Sequence, residues 1–142
     1  MANKNVLVEI CLTSNEMILG VKGEDHPFPV YRKYGIPVTL ATDDQGVARG
    51  NMTAEYQRAV ETYRLSYGEL KQISRQGLEH SFLPGASLWS DSRRARRVGA
   101  CVADDPSVKP SATCQKFLDG SERAKLQWQL ESEFAKFEKK AW

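Results

Sequence analysis

Cysteine is scarce in this 142-residue chain, and its spacing is not that of a metal site. The three cysteines are Cys11, Cys101 and Cys114, with no C-x-x-C pair among them. An odd count without that spacing argues against a disulfide framework and against a structural zinc site. Cys101 and Cys114 flank a loop and could pair in an oxidising compartment. Because nothing else in the sequence signals export, we favour free thiols. Cys11 lies in a strand-like run and is expected to be a small buried residue.

Long apolar runs and an excess of one charge are also lacking. No run approaches the roughly 20 apolar residues of a membrane span. The polar start at residues 1–5 lacks the apolar segment of a signal peptide. The net charge of +2 is too small to predict attraction to nucleic acid or to a membrane. As written, the sequence predicts a cytoplasmic protein without a membrane or nucleic-acid partner; a leader in a longer form stays open.

The composition is that of a folded domain. Hydrophobic residues make up 41% and charged residues 27% of the chain, as in ordinary globular proteins. Changes in composition predict three segments, at residues 1–89, 90–119 and 120–142. The middle segment opens with an Arg-rich stretch, which we interpret as a solvated helix face or loop rather than a nucleic-acid patch. Its arginines are Arg93, Arg94, Arg96 and Arg97.

Two apolar runs predict strands buried on both faces. The first covers residues 6–12, and the second begins at Ile36. Between them we expect a loop at residues 13–25 and a short helix that begins at Pro27 and is closed by Gly35. Since parallel strands need such a crossover, the pattern predicts a right-handed βαβ unit.

Three helices are predicted further along the chain. Residues 51–65 carry apolar residues at three- and four-residue spacing. Ser66 and Glu69 form a capping box for the next helix, which Gly77 is expected to end. A loop at residues 104–113 then leads to a long C-terminal helix that begins after Ser121. The predicted buried stripe of that helix is Leu126, Leu130, Phe134 and Phe137.

Two adjacent acids, Asp43 and Asp44, follow the second strand directly. One interpretation is that they open a turn and cap the next helix, since Asp is common at both places. The other is a catalytic role, because barrel enzymes place acids at the carboxyl ends of buried parallel strands. The pair alone does not decide between these interpretations.

Five short motifs follow one another along residues 6–89. They are V-E-I-C-L-T-S-N at 8–15, H-P at 26–27, G-I-P-V-T-L-A-T-D-D at 35–44, E-Y at 55–56 and S-F-L at 81–83. In this order and spacing they resemble the C-terminal part of the adenosine deaminase family. The variants D-D-Q-G-V at 43–47 and A-S-L-W at 86–89 look closer to the adenosine deaminase and growth-factor-like branch than to AMP deaminases.

The resemblance implies a fold and a chemistry. The family consists of zinc-binding (β/α)₈ barrels, so residues 6–83 would supply the last two βα units, followed by closing helices and the long C-terminal helix. Asp43 would be a zinc ligand that also contacts the metal-bound water, and Asp44 would hydrogen-bond the purine ring. The zinc would lower the pKa of its water, and the resulting hydroxide would attack the purine carbon bearing the amine. The implied substrate is adenosine or a related purine nucleoside.

The other catalytic groups that the resemblance implies have no counterpart in this sequence. They are histidine zinc ligands, a general-acid glutamate and an assisting histidine, yet the chain has only His26 and His80. His26 matches the H-P motif, which we interpret as structural, and His80 falls on a closing helix. Catalytic zinc normally has three protein ligands, and such barrels take about 250 residues. We therefore expect a C-terminal fragment that holds no zinc alone and acts only with the missing N-terminal barrel part supplied in trans.

Two alternatives stay open. The chain could be a small non-enzymatic α/β interaction module or a degenerate truncated product, in which case it should be stable, monomeric and metal-free. The less favoured alternative is nucleic-acid binding through the Arg-rich stretch, which predicts strongly salt-dependent association. Two strands without further partners would expose their edges, which predicts a marginal or self-associating chain.

Overall fold

The computed structural model describes residues 4–141, and these form two compact units. Unit 1 comprises the described part of Met1–Gly77, and unit 2 comprises the described part of Leu78–Trp142. The polar start at residues 1–5 falls partly outside the described residues. The elements that begin in unit 1 are β1 (Val8–Ile10), α1 (Leu12–Leu19), a 3₁₀ turn (Gly23–Asp25), α2 (Phe28–Lys33), β2 (Val38–Leu40), α3 (Gln45–Ala48), α4 (Met52–Tyr63) and α5 (Tyr67–Glu79).

β1 and β2 are parallel neighbours, which confirms the predicted strand pair and its helical crossover. The register pairs Val8 with Val38, Glu9 with Thr39 and Ile10 with Leu40. Ile10 and Leu40 are buried. The prediction that both strands are buried on both faces fits β2 better than β1, because Glu9 at the centre of β1 is exposed. An exposed charge at that position keeps its solvation, so burying β1 completely would be costly.

The segment between the strands contains more helix than the sequence predicts. The expected loop at residues 13–25 is wrong at its start, since α1 begins immediately after β1. Polar residues at 13–15 favour a turn locally. In the folded chain, however, the Thr13 N–H donates to the carboxylate of Glu55, 42 residues away, and this satisfies one free donor of the helix start. Gly20 ends α1 in the left-handed region at φ 67°.

The next two long helices are confirmed, the first with an Asn51 cap that was not predicted and the second with its predicted capping box. The Asn51 side chain accepts a hydrogen bond from the Ala54 N–H at the start of α4. At the start of α5, Ser66 N–H and Oγ both donate to Glu69 Oε2 at 2.8 Å. Gly77 does not end α5, which continues to Glu79. A Cβ at Gly77 would lie 2.9 Å from Thr39 Oγ1, so this glycine serves close packing against β2.

The core of unit 1 lies between the two strands and the helices that follow them. Its buried residues are Ile10, Leu12, Phe28, Val38, Leu40, Ala59, Leu65 and Ile73. The Phe28 and Tyr63 rings meet edge to face, with centroids 4.8 Å apart. The observed mixture of helices and parallel strands confirms a mixed α/β fold.

Unit 2 contains an antiparallel hairpin and two helices. These are β3 (Trp89–Asp91), β4 (Arg96–Arg97), α6 (Ala112–Asp119) and α7 (Glu122–Ala141). The Arg-rich stretch forms the turn and second strand of the hairpin. The buried residues of the unit are Leu88, Trp89, Cys101, Cys114, Leu118, Ala124 and Trp128. A disulfide joins Cys101 to Cys114, so the free thiols that the sequence favours are wrong for these two residues, which the fold of unit 2 brings together.

Two sequence expectations for unit 2 are wrong. Part of the region before the long helix is itself a helix, α6, whose Ser111 cap accepts a bond from the Cys114 N–H. The buried face of α7 is not the predicted stripe, since Phe137 is 57% exposed. The face that packs inward instead carries Ala124, Gln127, Trp128 and Glu131. Gln127 is buried because its side chain accepts from the Leu88 N–H and donates to Glu79.

The boundary after Gly77 separates two compact units. It does not test the three segments predicted from composition, 1–89, 90–119 and 120–142, which stay a prediction. Among residues 4–141, no helix is both long enough and apolar enough to cross a membrane.

Candidate functional site

The two acids lie on a tight bend after β2. Asp43 has a left-handed backbone, with φ 51°, which Asp adopts more readily than most residues. Asp44 occupies the N-cap position of α3, but its side chain makes no capping hydrogen bond there. The Asp44 carbonyl instead accepts from Val47 and Ala48 N–H. Both acids are exposed, so their carboxylates are accessible at the carboxyl end of the strand.

Ser14 connects this bend to the neighbouring strand. It lies in the first turn of α1, just beyond the carboxyl end of β1, and is buried. Its hydroxyl donates to Asp43 Oδ2 at 2.7 Å. A bond of this length to a carboxylate is of the strong, charge-assisted kind. The carboxyl ends of two adjacent parallel strands therefore meet at Asp43, and one of its two oxygens is held by the protein.

The residues on either side of Ser14 are fixed by other elements. The Thr13 N–H lies 3.3 Å from both carboxylate oxygens of Glu55, a buried residue on α4. Asn15 Oδ1 lies 2.9 Å from Nε2 of His26, while His26 Nδ1 accepts from the Phe28 N–H at 3.0 Å. Since Nδ1 accepts, Nε2 carries the proton of the neutral ring and donates to Asn15. The first turn of α1, at residues 13–15, is thus anchored at three points, through Thr13, Ser14 and Asn15.

Burial shifts two pKa values around this turn. Burial lowers the pKa of His26, which favours the neutral imidazole that the hydrogen bonds require. Burial also raises the pKa of the Cys11 thiol, and the charges of Asp43, Glu9 and Glu55 raise it further. Cys11 is a free thiol next to the acid bend, and these effects keep it protonated and poorly reactive.

The described residues do not by themselves fit a zinc site. Across residues 4–141, no group of three or more His, Cys, Asp or Glu side chains is arranged to hold a metal ion. Asp43 offers one carboxylate, and both ring nitrogens of His26 are engaged by Asn15 and Phe28. Because catalytic zinc normally takes three protein ligands, the remaining ligands would have to come from outside these residues.

A cavity of about 330 Å³ lies on another part of unit 1. Its lining includes Leu12, Val21, Tyr63 and a charged cluster in which Glu16 pairs with Lys22 and with Arg58. The lining does not include Asp43 or Asp44. The cavity and the acid bend are therefore distinct features of the unit.

The other polar residues singled out in the sequence lie in unit 2. The Arg97 guanidinium lies over the Trp128 ring, 5.6 Å from its centroid, while Arg93, Arg94 and Arg96 are exposed on the hairpin. Such stacking makes Arg97 a packing residue, unlike the solvated residue that the sequence predicts, whereas the other three arginines are solvated. His80 lies just beyond the end of α5 and is half-buried.

Sequence reasoning located the acids but missed the residues that hold them. The sequence predicts Ser14 only as part of a loop, and Glu55 only as part of the E-Y motif without a role. The sequence feature that indicates these contacts is the run of three consecutive polar residues, Thr13 to Asn15, soon after a buried strand. Such residues are placed to bond groups on the next strand and helix, but their partners are distant in sequence, at 29 residues for Asp43 and 42 for Glu55.

Comparison with known proteins points to one family. The family model described as adenosine deaminase matches residues 1–88, more than half of the chain. An adenosine deaminase of Enterococcus faecalis is 36% identical over 81 residues, covering 56% of this chain and 24% of the relative. One of Clostridium perfringens is 38% identical over 80 residues, with the same two shares. An N6-methyl-AMP deaminase of Danio rerio is 37% identical over 82 residues, covering 57% and 24%.

The chain spans about a quarter of the length of the curated relatives it matches. No solved structure matches it. The matched region contains the parallel strand pair, the acid bend and the turn at residues 13–15. On the strength of the family model, this chain belongs to the adenosine deaminase family.

Proposed function

We propose that this chain is the C-terminal part of a zinc-dependent purine nucleoside deaminase, which hydrolyses adenosine to inosine and ammonia. In this proposal the two parallel strands are the last two of a (β/α)₈ barrel. The chain is incompetent alone, and the N-terminal barrel part acts as its partner. The observation that supports this most is the bond from Ser14, beyond β1, to Asp43, beyond β2.

Barrel enzymes assemble their sites at the carboxyl ends of the strands. In this chain that end carries an exposed acid pair, and the position of Asp43 is fixed by a buried hydroxyl. An acid that served only as a helix cap would direct its side chain to the first N–H groups of the helix. Neither acid does so at α3: Asp43 binds Ser14, and the Asp44 side chain makes no cap bond.

Each acid has a separate proposed role. Asp43 would supply a carboxylate oxygen to a zinc ion, while the Ser14 hydroxyl donates to its other oxygen. Asp44 hydrogen-bonds the purine ring and so orients the substrate. The histidine ligands and the catalytic glutamate come from the N-terminal barrel part, because the described residues offer no group of three metal ligands around Asp43.

The first experiment uses the chain alone. We expect purified chain to show no loss of adenosine and no stoichiometric zinc by elemental analysis. The reason is that one carboxylate does not retain a catalytic zinc ion. Measurable adenosine turnover that Asp43→Ala abolishes would contradict the proposed incompetence of the chain.

The second experiment supplies the missing part as a chimera. Residues 1–88 replace the matching C-terminal region of the Enterococcus faecalis relative, which is named adenosine deaminase. We expect the chimera to bind zinc and to deaminate adenosine. Asp43→Ala should lose both properties, whereas Asp44→Asn should keep zinc and lose activity. Asp25→Asn, at an exposed acid in the 3₁₀ turn, is the matched control and should keep both.

Retention of zinc and activity by Asp43→Ala in the chimera would overturn the proposed metal role. N6-methyl-AMP belongs in the same assay, because the Danio rerio relative is named for that substrate. A preference for the nucleotide would contradict adenosine as the substrate class while leaving the deaminase reaction in place.

A non-enzymatic interaction module is the second candidate, favoured by the lack of a three-ligand cluster within residues 4–141. It predicts a monomeric chain that unfolds cooperatively and a chimera without activity. Nucleic-acid binding is the third, and it would use the exposed hairpin arginines. It predicts association with DNA or RNA that weakens steeply with salt, and no binding at low salt would exclude it.

A further inference from the structure

The disulfide of unit 2 closes a segment that little else holds. Cys101 and Cys114 are separated by 13 positions, and neither is exposed to solvent. Between them, Val102 and Val108 are 54% and 59% exposed, so the apolar side chains of the segment are not buried in a core. Some of its hydrogen bonds are local, such as Ser107 N–H to Asp105 Oδ1 at 2.8 Å. From outside the segment, Lys139 Nζ donates to Ser107 Oγ at 2.9 Å and the Arg97 guanidinium donates to the Val102 carbonyl at 3.5 Å. Beside these two side-chain bonds, the covalent link is the strongest constraint on the segment.

The same disulfide is a large part of a small core. Unit 2 contains roughly 65 residues, a size at which apolar burial alone is marginal. Two of its seven buried core residues are the linked cysteines. Cys114 also lies in the first turn of α6, an eight-residue helix too short to be stable without tertiary contacts. Loss of the disulfide would remove a constraint from both the loop and α6.

We propose that Cys101 and Cys114 are an oxidative modification site whose disulfide stabilises the fold of unit 2. The functional protein then resides in an oxidising compartment. Disulfides persist in such compartments and are rare where thiol reductants are maintained. This proposal replaces the cytoplasmic location that the sequence predicts, and it does not depend on the deaminase activity.

The bond forms by two exchange steps with a small-molecule disulfide such as oxidised glutathione. The thiolate of one cysteine attacks a sulfur of the oxidant, forms a mixed disulfide and releases one glutathione thiolate. The thiolate of the second cysteine then attacks the protein sulfur of the mixed disulfide and releases the second glutathione. Both cysteine protons are lost, and the two electrons reside on the two released thiols.

The first test measures the state of each cysteine in the full chain. Chain secreted to an oxidising compartment is denatured without reductant, alkylated and analysed by mass spectrometry. We expect one alkylated residue, Cys11, and one linked peptide pair containing Cys101 and Cys114. Alkylation of all three cysteines would overturn the proposal.

The second test asks whether the fold needs the bond. Trp89 and Trp128 belong to unit 2, and residues 1–77 contain no tryptophan, so tryptophan fluorescence does not report the unfolding of unit 1 and follows that of unit 2. Closing a loop of this length is worth on the order of 100-fold in the folding equilibrium. We therefore expect reductant to lower the Tm of the fluorescence transition by about 10–20 °C.

Matched variants separate the bond from the reductant. Cys101→Ser with Cys114→Ser should unfold like the reduced wild type and should not respond to reductant. Cys11→Ser should keep the full response, because Cys11 belongs to unit 1. Should the double variant fail to fold, reduction of the folded wild type still gives the answer. An unchanged Tm after complete reduction, verified by alkylation, would overturn the proposal.

Discussion

At the scale of single residues, Ser14 governs the geometry of the acid bend. Ser14→Ala removes the hydroxyl that donates to Asp43 Oδ2. Because Asp43 is exposed, water can solvate its carboxylate in the variant. The variant should therefore keep its fold, and the Asp43 side chain should lose its fixed orientation. We expect the Asp43 side chain to sample several rotamers in the variant, seen as averaged Hα–Hβ couplings by NMR. In the active chimera, kcat/KM should fall about tenfold, the equivalent of one hydrogen bond to a charged group.

Ser14→Thr should restore both readouts, since it keeps a hydroxyl at the position. Ser81→Ala is the matched control, because it removes a bond of equal length, 2.7 Å, to the Leu78 carbonyl in unit 2. Equal losses in the Ala and Thr variants would mean that the hydroxyl is not the group that matters.

His26 makes unit 1 sensitive to acid. Burial holds its pKa below the ordinary value of 6.5, so the unfolded chain binds the proton more readily than the folded chain. The free energy of unfolding is therefore highest above about pH 6.5 and falls as the pH drops through that value towards the lowered folded pKa. NMR signals of the five tyrosines, all of which lie in unit 1, would follow denaturant unfolding at each pH.

His26→Gln should reduce the pH dependence of the free energy of unfolding of unit 1, although it also removes the hydrogen bond from the Phe28 N–H. His80→Gln should leave it unchanged, because His80 belongs to unit 2 and the tyrosines do not report that unit. A dependence of the same size in the His26 variant would show that other groups cause it.

At the scale of elements, the capping box decides where α5 begins. The Ser66 N–H and hydroxyl bonds hold the pKa of Glu69 below its ordinary range, so the box is present with Glu69 ionised. Ser66→Ala should cost about 1 kcal/mol in the free energy of unfolding of unit 1, as loss of a side-chain cap usually does. The tyrosine signals in a denaturant titration would measure it.

Thr53→Ala, an exposed threonine inside the first turn of α4, is the control for side-chain removal. Its effect should stay within about 0.5 kcal/mol. A cost for Ser66→Ala no larger than that of the control would mean that tertiary packing alone positions α5.

At the scale of the whole molecule, the strand edges predict self-association. Within residues 4–141, β1 and β2 pair only with each other, so each presents an open edge. Met17, Ile18 and Leu19 on α1 are more than 60% exposed and add apolar surface. We expect the apparent mass in sedimentation velocity to rise with protein concentration. Ile18→Lys should reduce that rise, whereas Val108→Lys, at an exposed valine of unit 2, should not.

A monomer across the whole concentration range would contradict this expectation. It would also favour the independent interaction module over a part of a larger barrel.

The sequence by itself determined the features that depend on neighbouring residues. The two strands, α2, α4, the capping box and the position of the acids after β2 all follow from spacing and cap residues. Such signals are local, because a helix cap or an apolar period acts within one or two turns of chain. Asp43 and Asp44 were therefore located correctly, while their roles stay predictions.

Tertiary structure alone decided the features whose partners are distant. α1 begins where Glu55 supplies an acceptor from α4, and Asp43 is held by a serine 29 residues earlier. The buried face of α7 includes Gln127 because a backbone N–H and a carboxylate of unit 2 satisfy it. The disulfide likewise depends on two cysteines being brought together. In each case the folded chain satisfies a polar or covalent requirement that no local pattern specifies.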